Sequence, residues 1–73
     1  MNLICQKLKD GRYYIIPKKF EDKVAYSLGS GDSELEAWKL AENNAKFMKN
    51  QAEKDVSEAN EFLHEIIDAL KYF

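Results

Sequence analysis

Two side chains of the 73-residue chain belong to types that do nucleophilic or acid–base chemistry near neutral pH, Cys5 and His64, and each type occurs once. A nucleophile needs a base within hydrogen-bond reach, and the base needs a group that orients it. Cys5 falls in a segment read as a β-strand, His64 falls on the polar side of a helical segment near Asp68, and no spacing links the two. The expectation is a small strand residue and a surface imidazole, with no catalytic residue and no enzymatic activity. One His and one Cys without a CxxC or HxxxH pattern leave only carboxylates on an exposed helix face, so neither a metal nor a cofactor is expected.

Other stretches have partial signatures of binding chemistry. Gly29-Ser30-Gly31 ahead of a helix start could offer backbone N–H groups to a phosphate. It is too short for a phosphate-binding loop, lacks the lysine, and is followed by Asp32, so it reads as a strand-to-helix joint. Lys7, Lys9, Arg12, Tyr14, Lys18 and Lys19 interleave cations with an aromatic ring, as a sheet that contacts nucleic acid does. Tyrosines also favour strands for packing, and lysines keep sheet edges soluble. Glu53, Glu58, Glu61, Glu65 and Asp68 read as a solvated helix side, with pairs such as Glu42 and Lys46 neutralising charge locally.

These residues are positioned by two kinds of element. Residues 3–8 and 12–16 read as antiparallel strands joined at Asp10-Gly11, because Asp-Gly readily adopts the positive φ angles of a two-residue type I′ turn. That turn sets Leu8 opposite Tyr13, Lys7 opposite Tyr14, Gln6 opposite Ile15 and Cys5 opposite Ile16. It gives a core face of Ile4, Leu8, Tyr13 and Ile15, and an exposed face of Lys7, Lys9, Arg12 and Tyr14. Pro17 lacks a ladder donor and ends the second strand. Residues 24–28 alternate Val24, Tyr26 and Leu28 with smaller side chains and read as a third strand.

From Asp32 to the end there is neither glycine nor proline. Leu35, Trp38, Ala41, Ala45, Met48, Ala52, Val56, Ala59, Leu63, Ile66, Leu70 and Phe73 follow one helical line in steps of three or four. Ser33 with Glu36 three residues on forms a capping-box pattern. The fold class is therefore α+β: a three-stranded antiparallel sheet followed by a long amphipathic helix or a helical hairpin. Such a sheet is about 20 Å long and covers only ~13 residues of helix, so the rest needs another surface. Leu40 and Phe47 lie opposite the main line, which suggests that one side of the helix meets the sheet and the other a second helix. That second helix is the chain's own C-terminal half or the same segment of another copy. Asp55-Val56-Ser57-Glu58 could restart a helix, whereas an unbroken heptad phase with no terminating glycine favours continuity and self-association. We expect the latter, a homodimer or small homo-oligomer joined through Val56, Ala59, Leu63, Ile66, Leu70 and Phe73.

Seventy-three residues make one domain, with residues 1–31 as sheet and 32–73 as the helical region. A lone thiol, with no signal peptide and no membrane-spanning run, points to a cytoplasmic protein. Residues 1–31 hold six basic and three acidic side chains (+3) and residues 32–73 five and ten (−5), giving the net charge of −2. A basic sheet joined to an acidic helical region suits attraction between copies or to a protein partner.

Asp10-Gly11 followed by Tyr13, then Pro17, then Gly31-Asp32-Ser33-Glu34-Leu35-Glu36-Ala37-Trp38 with Asn44-Ala45 beyond, resembles the N-terminal part of HicB-type antitoxins over roughly residues 1–48. The resemblance implies a β-β-β-α domain that silences a toxin ribonuclease, often as an oligomer. Where that family has Pro-Asp-x-Pro-Gly, this chain has Pro17-Lys18-Lys19-Phe20-Glu21, and a single amphipathic segment replaces the DNA-binding tail. The run from Lys9 to Tyr13 is also similar to arm-type DNA-binding domains of integrases. The expected function is a small interaction protein that binds or inhibits a protein partner, like an antitoxin or a phage-type inhibitor of a host protein. The alternative is a nucleic-acid-binding module. Lys7, Arg12, Tyr14, Lys18 and Lys19 are the candidate partner-binding residues.

Overall fold

β-Branched and aromatic residues flanking a glycine turn produce the first two strands, β1 (Leu3–Lys7) and β2 (Tyr13–Pro17), in a computed structural model that describes residues 2–51 and 56–73. The turn between them differs from the expected two-residue loop. Gly11 N–H donates to the Leu8 carbonyl (2.9 Å), Leu8 N–H donates to the Arg12 carbonyl (3.1 Å), and Gly11 takes φ +84°. This is a three-residue loop, a turn closed by a left-handed glycine. Arg12 N–H also donates to Asp10 Oδ1 (2.9 Å), so the aspartate side chain helps set the turn's length.

One extra loop residue shifts the register, pairing Leu3 with Pro17, Ile4 with Ile16, Cys5 with Ile15, Gln6 with Tyr14 and Lys7 with Tyr13. Side chains alternate, so the shift exchanges β1's faces. Leu3, Cys5, Tyr13 and Ile15 pack toward the helices, whereas Ile4 and Leu8, expected there, do not join that core.

The third strand, β3 (Gly29–Gly31), lies outside the expected 24–28; Val24–Tyr26 forms a 3-10 turn instead. β3 pairs antiparallel with β2, in the order β1-β2-β3. Glycine is required here for closeness. A Cβ on Gly29 would meet the backbone of Ala41 and stand 2.5 Å from the Ala37 carbonyl oxygen, and one on Gly31 would stand 2.5 Å from Glu36 Cβ. The more apolar segment just before folds back across the sheet's second face. There Gln6 and Asp22 bond reciprocally, Asp22 N–H to Gln6 Oε1 at 3.2 Å and Gln6 Nε2 to Asp22 Oδ1, with Asp22 at φ +67°. Phe20 and Tyr26 stack at 4.1 Å between centroids. Ile16, on that face, is fully buried.

Helix α1 (Glu34–Gln51) starts at Ser33, whose Oγ accepts from Glu36 N–H (3.2 Å), while Glu36 Oε2 accepts from Asp32 N–H (3.0 Å). Helix α2 (Val56–Leu70) packs antiparallel on α1, with Leu35 at the start of one and Leu70 near the end of the other lining the same groove. The chain therefore forms a helical hairpin, the second of the two arrangements the sequence allows. α1 ends at Gln51 and α2 starts at Val56; the proposed restart at Asp55 falls outside the described residues. Ala37, Trp38, Ala41 and Ala45 on α1 meet Leu3 and Ile15 of the sheet and Phe62 and Ile66 of α2 in one cluster. Small alanines let α1 lie close enough to serve both neighbours, so Leu40 and Phe47 need not reach the sheet, and they point outward.

Candidate protein-docking surface

The hairpin consumes much of the expected self-association line. Ala59 and Ile66 are buried inside the chain, Leu63 and Leu70 pack against the same core, and Val56 opens α2. Phe73, 56% exposed, remains on the surface. The physical reason is that α1 supplies an intramolecular partner for the stripe, which a continuous helix would have had to find in another copy.

The five candidate partner-binding residues do not come together. Lys7 and Tyr13 are cross-strand neighbours on the helix side, with Lys7 Nζ 5.6 Å from the ring centroid. Tyr14 lies on the other side and donates its hydroxyl to Asp10 Oδ2 (2.7 Å). Arg12 stands 3.8 Å from Asp32, its cation directed at the start of the helix. Lys18 and Lys19 lie on a 3-10 turn at the far end of β2, about 20 Å along the strand from Arg12 at ~3.3 Å per residue. Lys19 Nζ is 5.3 Å from the Phe20 ring. The slipped register separates what a two-residue turn would have placed on one face.

Cys5 is half-buried among core residues, and its thiol is pushed up to about 11 by burial and, secondly, by the Glu34 carboxylate. A thiol held neutral in this way is a weak nucleophile at pH 7. His64 is exposed on α2. Among the described residues no buried polar or charged side chain and no group of three metal-ligating side chains occurs. Gly29-Ser30-Gly31 is used by the sheet and by contact with α1. The Glu42–Lys46 pair forms at 3.7 Å, as the spacing suggests. Glu65 departs from the solvated face: its Oε1 accepts from the backbone N–H of Asn2 (2.6 Å) and Leu3 (3.1 Å).

What the helical layer leaves open is apolar. Leu40 and Phe47, seven residues apart on one face of α1, are 42% and 65% exposed. Asn43, three after Leu40 and four before Phe47, joins that face to a groove of about 450 Å³ lined by Leu35, Lys39, Glu42, Asn43, Leu70 and Phe73. Lys39 and Glu42 set opposite charges at its rim. The surface is therefore an apolar shelf beside a partly polar groove, able to receive a large side chain and hydrogen-bond its backbone. Its sequence signal was the placement of Leu40 and Phe47 off the main helical line. Compared with family models, curated proteins and solved structures, the chain finds no match in any of the three.

Proposed function

We propose that the chain is a non-enzymatic interaction protein that binds, and thereby inhibits, a protein partner, as a HicB-like antitoxin or a phage-type inhibitor of a host protein does. The outward pair Leu40 and Phe47 supports this reading best. Exposing a Phe and a Leu in line on a helix whose inner face is already satisfied costs solubility, and a partner that covers them recovers that burial. The groove beside them gives an anchor residue of the partner a place to insert. A cytoplasmic setting fits the reading. No helix among the described residues is long and apolar enough to cross a membrane.

The test is affinity capture from a host lysate with the wild type, Phe47→Glu and Lys18→Glu side by side. Phe47→Glu should abolish capture of the partner with the fold intact by circular dichroism, while Lys18→Glu should retain it. Loss with Lys18→Glu and retention with Phe47→Glu would overturn the reading. Binding through this apolar face should also change little between 50 and 500 mM salt (about one Debye-length regime to another), unlike phosphate-driven binding.

A further inference from the structure

We propose that a second copy of this chain pairs with the open edge of β1, antiparallel and centred on Cys5, to give a two-fold symmetric dimer with a continuous six-stranded sheet. Within β1 the direction of each backbone group is fixed by its neighbours. Leu8 N–H donates to Arg12 and Lys18 N–H donates to the Asn2 carbonyl (2.7 Å), so the even-numbered residues from Asn2 to Leu8 face β2. Leu3, Cys5 and Lys7 therefore face outward. Leu3 N–H points away from β2, to Glu65, and at the start of the strand the Asn2 N–H turns to the same carboxylate while its carbonyl stays with β2. Among the described residues, nothing takes the N–H and C=O groups of Cys5 or the N–H of Lys7. The other edge, three residues of Gly-Ser-Gly held against α1, exposes only Ser30 in this way.

The edge is open at Cys5 and Lys7, while Glu65 takes the Leu3 N–H, so a second copy would pair through Cys5 and through Lys7 N–H to the Leu3 carbonyl, and its own sequence fits that edge. Pairing about Cys5 sets Cys5 opposite Cys5 and Lys7 opposite Leu3 of the other copy. Lys7 Nζ lies on the helix side of the sheet, beside Tyr13. Glu65 approaches Leu3 from the same side, from α2. Each Lys7 ammonium therefore arrives next to the other copy's Glu65 carboxylate, twice by symmetry. A strand of unrelated sequence would gain the ladder but not these two ion pairs. The ladder is short, which places the dimer at the weak end of specific association.

Light scattering should show the mass rising from 8.5 kDa toward twice that value between about 10 μM and about 1 mM. Over the same range the amides of Cys5 and Lys7 should gain about tenfold protection from exchange in proportion to dimer. Lys7→Glu and Glu65→Lys should each weaken self-association about tenfold, since each replaces two attractive contacts by two repulsive ones. Their equimolar mixture should dimerise as well as the wild type, because both contacts become attractive again. A mass that stays at 8.5 kDa, a dimer whose Cys5 and Lys7 amides exchange as freely as on dilution, or a mixture no tighter than either variant would overturn the proposal. If Glu65→Lys does not fold, Lys7→Glu and the exchange measurement still decide. Phe47→Glu should leave this dimer unchanged, so the edge and the docking surface fail or stand separately.

Discussion

Glu65 of α2 holds the backbone of Leu3, 62 residues earlier, through one carboxylate oxygen 3.1 Å from its N–H, and the same oxygen takes Asn2 N–H at 2.6 Å. Leu3 N–H faces away from β2 and Asn2 N–H lies at the strand's first turn-in, so neither has a ladder partner and the carboxylate does for the strand what an N-cap does for a helix. Charge-assisted bonds of this kind contribute about 1–2 kcal/mol when half-buried. Glu65→Ala should lower Tm by several degrees in a calorimetric scan, whereas Glu61→Ala, at an exposed site, should leave it unchanged.

Gly29 and Gly11 are required for different reasons. A methyl at Gly29 collides with the backbone of α1, so Gly29→Ala should destabilise by about 2–3 kcal/mol, as an overpacked core does. Gly11 has open space around it and only its positive φ to lose, so Gly11→Ala should cost about 1 kcal/mol and Gly11→Asn less. Urea unfolding of the variants checks the order.

Cys5 should react slowly. Its thiol rises from 9.0 to about 11, so at pH 8 the folded protein carries about a hundredfold less thiolate than the unfolded chain. Iodoacetamide labelling followed by mass spectrometry, with and without denaturant, should show a difference of that order. The linked stability is present below pH 9 and is lost as pH climbs from 9 toward 11, because the unfolded chain ionises first.

Asp10 carries the opposite sign. Arg12 N–H and then the Tyr14 hydroxyl hold its carboxyl below the ordinary 3.8. Its contribution is present above that value and disappears as pH falls through the lower folded one. The difference in Tm between pH 6 and pH 3 should be smaller in Asp10→Asn than in the wild type. A carboxylate titration by NMR should place the Asp10 midpoint below 3.8. The same bond raises the Tyr14 phenol, so its share is lost above the ordinary 10.0.

Apolar spacing and turn residues made the sheet, the helix start at Ser33 and the α+β class readable from residue types alone. The register was not, because Asp-Gly serves both two- and three-residue loops, and the choice turns on the Asp10 side chain bonding Arg12. A third strand was readable but its place was not, because propensity favours Val24 to Leu28, while the fold needs the two glycines for clearance beneath α1. The small size of Ala37, Ala41 and Ala45 is what lets one helix face the sheet and α2 together. Leu40 and Phe47 were visible as off-line apolar residues, but only the close approach of those alanines shows that the sheet never reaches them.

The contact between Glu65 and the first strand also bears on the order of events in folding. Both hairpins close over short stretches of chain, whereas this link spans nearly the whole length and gains nothing until the rest has assembled. We expect it to form after the rate-limiting step, so Glu65→Ala should hasten unfolding and leave the refolding limb of a chevron plot where it was.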